Sequence, residues 1–522
     1  MELLNIITRV LSVSLVGLLA GTAIWLFYTI VYRWFFHPLA KYPGPFLAKF
    51  TNLYAAYHSW KGDIHKDMYQ CHLKYGDRVR YAPNRVTINT ANALNAIHAH
   101  GNNVKKFDGY KVLAANAPNT LTLADKTLHA RRRRVISQAF SEAGLRLFEP
   151  AIRSRIDRFY NVIRSHSSPD SKWTEPLDMA VQFNYLTFDT MTAVAFDADY
   201  DLTTSPKYRY IVTAIESANL RLGVISQALE LTTLNLDRRL FLTSAIAAWT
   251  FGKFLYKLLR KRLEASNTGT KDIFSFLQQC RDPDTGEPLS DTELSTETAT
   301  FVVAGSDTTA TTLAATVYYL TGSPWCYKRA CEEMRGVFGG GSEEIGLGPK
   351  LNGCVFLRAC IDEALRLSPP GGSAPWREVE VGGARIDGEF FPQGCEVGVP
   401  VYAMHHHEGY WEEPFRYLPE RWLRSAGGAA GDDAANKEMG KEKKRAYVPF
   451  NMGPRSCVGK PLAIAQMMLA LAVLLRDFDV RREGQGEEWW EVEREGETRE
   501  YELREHITSS RTGPVLRFKP RF

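Results

Sequence analysis

The feature that most constrains this chain is a short loop, Phe450 to Gly459, which runs directly into the apolar stretch Lys460 to Leu475. Cys457 stands just before the expected N-terminus of a helix, where backbone N–H groups converge and the helix dipole favours negative charge. The sequence therefore predicts a stabilised thiolate at Cys457 and a metal ligand. Gly453 and Gly459 lack a Cβ, which permits unusual dihedrals and close approach of a large flat group. The alternative is a buried packing cysteine in a glycine-rich turn.

The loop resembles the F-x-x-G-x-R-x-C-x-G signature of the cytochrome P-450 family, the haem-thiolate monooxygenases, at every defined position. The resemblance implies that Cys457 is the axial ligand of haem b iron and that Phe450 and Arg455 help to bind this cofactor. It also implies a mainly α-helical fold with a smaller β-rich lobe (α+β). The order of the further motifs supports this interpretation.

Composition is compatible with such a fold. The chain has 522 residues, 45% of them hydrophobic, which is enough for one large domain or two ordinary ones. A net charge of +5 is too small to indicate nucleic-acid binding without a local basic cluster. The eight cysteines show no C-x-x-C pair, so we expect no disulfides and a reducing, cytosol-facing location.

The N-terminal stretch Val10 to Val31, about 22 residues without a charge, is long enough to span a bilayer as a helix. A cleaved signal peptide is the alternative, since Ala20 to Ala23 resembles a cleavage site, but the apolar run continues beyond it. Arg33, Lys41 and Lys49 follow the span, which by the positive-inside bias places the remainder in the cytosol.

These observations divide the chain into an anchor, residues 1–32, and a catalytic domain, residues 33–522. We expect a single-pass protein of the endoplasmic reticulum, as in the microsomal members that the chain resembles. Low-complexity residues 425–445 are predicted to form a flexible insert.

A capping box, Ser290 to Glu293, starts a long helix that ends near Gly322. Its centre, A-G-S-D-T-T, is unfavourable for a helix and lies among apolar residues, which suggests function. The stretch resembles the family motif A-G-x-[DE]-T. The resemblance implies that Gly305 leaves room for O₂, that Thr308 donates a hydrogen bond to bound oxygen, and that Asp307 relays protons. A solvent-facing polar stripe is the alternative.

A second cofactor-binding segment is implied by H-x-x-x-R, where His129 replaces the tryptophan commonest in the family and Arg133 keeps its i, i+4 partner. Both are expected to bind one haem propionate, and Arg377 the other. The remaining arginines between Arg131 and Arg134 are expected to face outward, toward an acidic electron donor.

Glu363 and Arg366 form an E-x-x-R pair that the resemblance joins to Arg421 in a buried triad bracing the cysteine loop. Three consecutive histidines, His405 to His407, suggest a metal cluster. Because consecutive side chains point in different directions, a surface loop is the preferred interpretation. Residues 142–280 are predicted to form amphipathic helices.

The chain contains neither a flavin domain nor a nicotinamide-binding G-x-G-x-x-G unit after a strand, so electrons are expected from NADPH-cytochrome P-450 reductase, with cytochrome b5 as a possible second donor. The substrate is expected to be a hydrophobic small molecule such as a polyketide, terpene or alkaloid of fungal secondary metabolism. Two rivals stay open: a haem-thiolate isomerase or dehydratase, and a non-enzymatic haem sensor or carrier.

Overall fold

The computed structural model describes residues 2–114, 117–166, 172–264, 271–340, 344–423, 445–486, 489 and 499–522. The predicted insert at 425–445 lies outside the described residues, apart from Arg445. Helices form most of the ordered structure and small sheets form the rest, which confirms the predicted fold class.

Eighteen α-helices are present among the described residues. They are α1 (Glu2–Val31), α2 (Leu53–Lys61), α3 (Ile64–Tyr75), α4 (Ala91–His98), α5 (Lys126–Ala139), α6 (Glu142–Ser165), α7 (Met179–Phe196), α8 (Tyr210–Gln227), α9 (Leu236–Leu240), α10 (Leu242–Glu264), α11 (Ile273–Gln279), α12 (Asp291–Gly322), α13 (Pro324–Phe338), α14 (Pro349–Asn352), α15 (Val355–Leu367), α16 (Val401–His405), α17 (Glu420–Leu423) and α18 (Lys460–Asp477).

The strands of the described residues are short. They are β1 (Arg78–Ala82), β2 (Arg85–Ile88), β3 (Val104–Lys106), β4 (Leu177–Asp178), β5 (Arg377–Val379), β6 (Ala384–Ile386), β7 (Glu389–Phe391), β8 (Glu396–Gly398), β9 (Phe478–Arg482), β10 (Leu503–Glu505), β11 (Ser509–Arg511) and β12 (Val515–Pro520). Their largest sheet has the order β1-β2-β8-β5-β3, in which only β2 and β8 run parallel.

The centre of the molecule is α12, and its predicted start is confirmed. The Ser290 hydroxyl accepts from the Glu293 N–H while the Glu293 carboxylate accepts from the Ser290 N–H, which completes the capping box. Helix α12 packs against α7, α15 and α18 within one hydrophobic core. The long helix thereby holds its polar centre in the middle of the protein.

Helix α7 departs from the amphipathic pattern expected for residues 142–280. Fifteen of its residues, from Met179 to Phe196, are buried, including Asp189 and three threonines. Asp189 is satisfied by the N–H groups of Leu202 and Thr203 at 2.9 and 3.0 Å. Because other helices pack around α7, few of its residues face solvent, and no polar side develops along the helix.

The segment before the sheet begins with helix α1, whose described side chains are exposed except for the half-buried Thr29 and Val31. Within the described residues, the single helical stretch that is long and apolar enough to cross a membrane is residues 5–36. Arg33 at its end donates to the Phe50 carbonyl, and Trp34 stacks on Phe50 with ring centroids 5.8 Å apart. The helix can thus serve as a membrane anchor attached to the catalytic part of the chain.

Candidate active site

The cysteine loop has a shape that depends on two residues with positive φ, Asn451 at 55° and Gly453 at 69°. A Cβ on Gly453 would lie 1.9 Å from the His98 carbonyl oxygen, so only glycine is accommodated there. The loop closes through the Cys457 N–H, which donates to the Phe450 carbonyl at 2.8 Å. Phe450 and Cys457, both predicted site residues, are therefore held together by the backbone.

Cys457 is the one exposed cysteine among the eight. Burial of its surroundings raises the pKa of the thiol above its ordinary value, although the N–H groups of Gly459 and Lys460 and the charge of Arg133 act in the opposite direction. The expected net stabilisation of the thiolate is therefore absent from the protein by itself. A metal cation bound to the sulfur would lower the pKa of the Cys457 thiol and so favour the thiolate.

The loop is braced from behind by the predicted triad. Glu363 and Arg366 are both fully buried, with Arg366 Nη2 donating to Glu363 Oε1 at 2.9 Å, and Arg421 Nε donates to the same oxygen at 2.9 Å. Burial alone would raise the pKa of Glu363, but the two guanidinium groups outweigh it and hold the pKa below its ordinary value. Every charge in the triad has its partner within the chain.

His405 was expected on a surface loop, and this expectation is wrong. His405 and His406 are fully buried around the end of α16. The His405 Nε2 accepts from the Val448 N–H at 3.0 Å, and its Nδ1 lies 3.1 Å from the Arg366 carbonyl oxygen. His405 therefore connects the triad to the cysteine loop, and the described residues contain no cluster of His, Cys, Asp and Glu suited to a metal ion.

Four predicted cofactor residues converge on the loop. Arg133 Nη1 donates to the Ser456 carbonyl at 2.6 Å, next to Cys457, and Arg455 Nη1 donates to the Leu123 carbonyl at 2.6 Å. Arg377 Nη1 donates to the Trp376 carbonyl at 2.9 Å. Burial, followed by the charges of Arg455, Arg133, Lys106 and Arg377, lowers the pKa of His129 to about 3. The side chains thus lie close enough to influence one another.

This cationic cluster, defined as His129, Arg133, Arg377 and Arg455, lacks a counter-charge among the described residues. None of the four forms an ion pair with a described carboxylate, and Asp125 affects the pKa of Arg455 only from beyond ion-pair distance. The three arginines donate to backbone carbonyls and, in the case of Arg133, to the Ser456 hydroxyl, none of which carries a net charge. Because guanidinium groups wholly or partly removed from water are costly without an anion, the cluster fits a ligand that brings carboxylates.

The other arginines of α5 do not face outward toward a partner. Arg132 Nη2 pairs with Glu293 at 3.0 Å and Arg134 Nη2 pairs with Asp282 at 3.0 Å, while Arg131 pairs with Glu287 at 3.2 Å. The acids lie on or just before α12, far away in sequence, so the arginine run alone could not reveal them. These three arginines fasten α5 to the start of α12.

The polar centre of α12 has one open face. Ala304 is exposed and Thr308 half-exposed, whereas Ser306, Asp307 and Thr309 are buried. The Thr308 hydroxyl donates to the Ala304 carbonyl at 2.7 Å, so the two residues share this face. Ala304 was missed as a site residue, although its i−4 spacing from Thr308 was a usable signal.

Gly305 lies on the side of α12 that faces α7, away from the open face. A Cβ added to Gly305 would lie 2.8 Å from Met191 Sδ on α7. The glycine therefore permits the close approach of α7 and α12.

Asp307 lies at the centre of a buried polar network. Its Oδ1 accepts from Arg511 Nη1 at 2.9 Å, and its Oδ2 accepts from the Thr508 hydroxyl. Arg511 also donates to Asn184, whose amide donates to Glu216 at 3.2 Å. The carboxylate of Asp307 is thus fully engaged, while the hydroxyl of Thr308 next to it adjoins the open face.

Comparison with known proteins agrees with this site. The family model "Cytochrome P450" matches residues 42–496. A cytochrome P450 monooxygenase of Penicillium oxalicum, poxM, is 43% identical over 99% of this chain and 97% of its own length, and one of Emericella nidulans, atnE, is 41% identical over 96% and 97%.

The fold also matches a solved structure. The crystal structure of the cytochrome P450DA heme domain superposes with a TM-score of 0.70 at 18% identity, covering 92% of this chain and 98% of that one. That likeness concerns the fold, while the family match and the relatives extend over the cysteine loop, the triad and α12. Because the family model covers residues 42–496 and the relatives are 41–43% identical over nearly the whole chain, the chain belongs to the cytochrome P450 family.

Proposed function

We propose that this protein is a membrane-anchored haem-thiolate monooxygenase that inserts one atom of O₂ into a hydrophobic small molecule. The observation that carries the proposal is the pairing of an exposed Cys457 with a cluster of buried and half-buried basic side chains that has no carboxylate partner among the described residues. Haem b has the matching composition, since its iron takes a thiolate and its two propionates take cations.

The described residues fit this cofactor. Cys457 would ligate the iron, with the N–H groups of Gly459 and Lys460 directed at the sulfur. Arg133, Arg377, Arg455 and His129 would hold the propionates, and Phe450 would support the loop. When bound, haem would supply the activation of O₂ with electrons delivered from outside.

Thr308 is proposed as the residue that acts on the open face of α12, since its hydroxyl borders that face and can exchange its bond to the Ala304 carbonyl for one to a ligand. Asp307 is proposed as the proton source. Because Arg511 and Thr508 hold both of its carboxylate oxygens, proton delivery requires the side chain to leave this network. This arrangement favours a monooxygenase over the isomerase, dehydratase and carrier alternatives, which need no such pair.

Residues 1–32 are proposed as the anchor and residues 33–522 as the catalytic domain. The anchor would place the protein in the endoplasmic reticulum with the catalytic domain in the cytosol, where NADPH-cytochrome P450 reductase, with cytochrome b5 as a second donor, would supply electrons. The curated relatives are fungal monooxygenases, which supports a substrate from fungal secondary metabolism.

The test is spectroscopic and then catalytic. Wild-type protein in membranes should show the red-shifted Soret band of a reduced carbon monoxide complex, and Cys457→Ala should lose it. Cys354→Ala, which removes a buried cysteine remote from the loop, should retain the band. A Cys457→Ala protein with an intact band contradicts the haem-thiolate assignment. If the band is present but NADPH and reductase drive no O₂ consumption with candidate substrates, the isomerase or carrier alternative becomes the better one.

A further inference from the structure

Basic side chains from three separate segments meet where α1 joins the catalytic part of the chain. Arg33 and His37 follow α1, Lys49 precedes α2, and Arg80 lies on β1. The Arg80 Nη1 donates to the Arg33 carbonyl at 2.8 Å, and the Lys49 Nζ lies 4.6 Å from the ring centre of Trp34. Burial, followed by the charges of Arg80 and Arg33, lowers the pKa of His37 to about 4. Arg33, His37, Lys49 and Arg80 thus form one group, the juxtamembrane cluster.

The hydrogen bonds of the juxtamembrane cluster do not balance its charge. Arg80 is fully buried, and its Nε and Nη2 donate to the Pro83 carbonyl at 3.1 and 2.7 Å. Arg33 donates to the Phe50 carbonyl, and no oxygen of the described residues accepts from the Lys49 ammonium. Burial, followed by the charge of Arg33, lowers the pKa of Arg80 to about 10. The cations therefore repel one another while their acceptors stay neutral.

Two basic residues beside the juxtamembrane cluster have acidic partners. Lys41 pairs with Glu389, and Arg78 Nη2 pairs with Asp387 Oδ2 at 2.8 Å. In contrast, no described carboxylate lies within ion-pair distance of a cluster member. Cations that are wholly or partly removed from water are costly without a counter-charge, so the cluster calls for an anion from outside the chain.

The position of the cluster indicates which anion it meets. Arg33 lies near the end of the helical stretch, residues 5–36, that is long and apolar enough to cross a membrane. Trp34, Phe35, Phe36 and Phe46 surround it with exposed aromatic rings, which favour the interface between the hydrocarbon core and water. Lipid phosphates lie at this depth. Arg33 and Lys49 are half-buried and accessible, whereas Arg80 lies behind them.

We propose that Arg33 and Lys49 bind the phosphate group of an anionic membrane phospholipid, with Arg80 as a positioning residue that holds the Arg33 backbone and adds positive charge from behind. The inference rests on the membrane anchor proposed above. It differs from a diffuse attraction of basic residues to a membrane surface, because it assigns the lipid to two residues and leaves out the neighbouring Lys41. His37 contributes a neutral donor at Nε2, since its Nδ1 accepts from the Leu39 N–H at 3.1 Å.

The experiment titrates the full-length protein in detergent micelles with dioleoyl phosphatidate and measures the dissociation constant of the first bound lipid by native mass spectrometry. Loss of a charge-assisted hydrogen bond in Lys49→Gln should raise this constant roughly 10-fold, and Arg33→Gln should have a similar effect. Lys49→Arg should stay close to the wild type. Lys41→Gln removes the same charge from the same segment and should change the constant by less than about 2-fold. Phosphatidylcholine, which has no net charge, should bind equally to all variants.

Equal weakening by Lys49→Gln and Lys41→Gln would indicate a diffuse attraction and overturn the proposal. Displacement of phosphatidate by an excess of inorganic phosphate would assign the site to a free anion and overturn it as well. The reduced carbon monoxide spectrum reports whether each variant is folded, and if Lys49→Gln fails this test, Arg33→Gln decides the comparison with Lys41→Gln. Lipid binding requires no turnover, so a failure of the proposed monooxygenase activity leaves this result unchanged. Recovery of the full-length protein in the soluble fraction without detergent would instead refute the anchor.

Discussion

The triad and the cationic cluster are two sets of basic side chains, buried or half-buried, that differ in their counter-charges. In the triad, Glu363 lies between Arg366 and Arg421 and accepts from both. In the cluster, His129, Arg133, Arg377 and Arg455 converge without an acid from the described chain. A set whose charges balance internally stabilises the fold, whereas a set with an excess of one charge is arranged for a ligand. The same residue type therefore has a structural role in one place and, as we propose, a binding role in the other.

The largest effect is expected from Glu363→Gln. The substitution keeps the shape but leaves Arg366 buried without its counter-charge, which should lower the free energy of unfolding by about 3–5 kcal/mol. Chemical denaturation of the membrane-reconstituted protein measures the change. Glu332→Gln, on an exposed position of α13, is the control and should change little. A Glu363→Gln protein of wild-type stability would remove the distinction drawn between the triad and the cluster.

Asp307→Asn tests a balanced pair that lies next to the open face. Arg511 would lose its charged partner but keep its bonds to Asn184 and the Ser509 carbonyl, so we expect a smaller loss of about 2–3 kcal/mol. Oxygen-dependent turnover should also slow, because the proton source is gone. Asp291→Asn, exposed in the first turn of the same helix, serves as comparison. Unchanged turnover in Asp307→Asn would exclude this carboxylate as the proton donor.

Arg455→Met should weaken haem binding more than it lowers the stability of the fold, which is the opposite of the result expected for Glu363→Gln. Loss of one cation from an unbalanced cluster should weaken haem binding by roughly 1.5–3 kcal/mol, with a smaller effect on the folding of the haem-free chain. Haem content after gel filtration and the rate of haem loss are the measurements. Arg131→Met is the control, since Arg131 already has acidic partners within the chain. If both variants keep haem equally well, the cluster is not a propionate site.

The smallest effect on stability is expected from Thr308→Ala, within about 0.5 kcal/mol of the wild type, because the hydroxyl bonds only to the Ala304 carbonyl and alanine favours a helix. The ratio of product to NADPH should nevertheless fall, with more hydrogen peroxide released. Thr312→Ala, one turn further along α12, provides the comparison for a buried threonine. A wild-type ratio in Thr308→Ala would leave Thr308 without a role in proton delivery.

Local sequence patterns predicted much of the molecule. The capping box at Ser290 and Glu293 predicted the start of α12, and the uncharged run after Val10 predicted the long exposed N-terminal helix. Spacing within one helix predicted the Glu363 and Arg366 pair. Each of these depends on residues a few positions apart, where backbone geometry alone decides which side chains meet.

The ion pairs and the buried residues that local patterns did not predict depend on contacts between distant segments of the chain. The acids that pair with Arg132 and Arg134 lie about 150 residues away, and His405 is buried because α16 packs between the triad and the cysteine loop. Lys106 and Arg377, two basic residues, lie opposite each other only because of the register in which β3 pairs with β5.

The sequence by itself determined the family and the polar centre of α12, and it predicted the cysteine ligand and the anchor, because each is written in a continuous run of residues. The tertiary structure alone decided which cations are balanced and which are not. The physical reason is that a side chain carries its own charge in the sequence, but its counter-charge and its burial are properties of the folded chain.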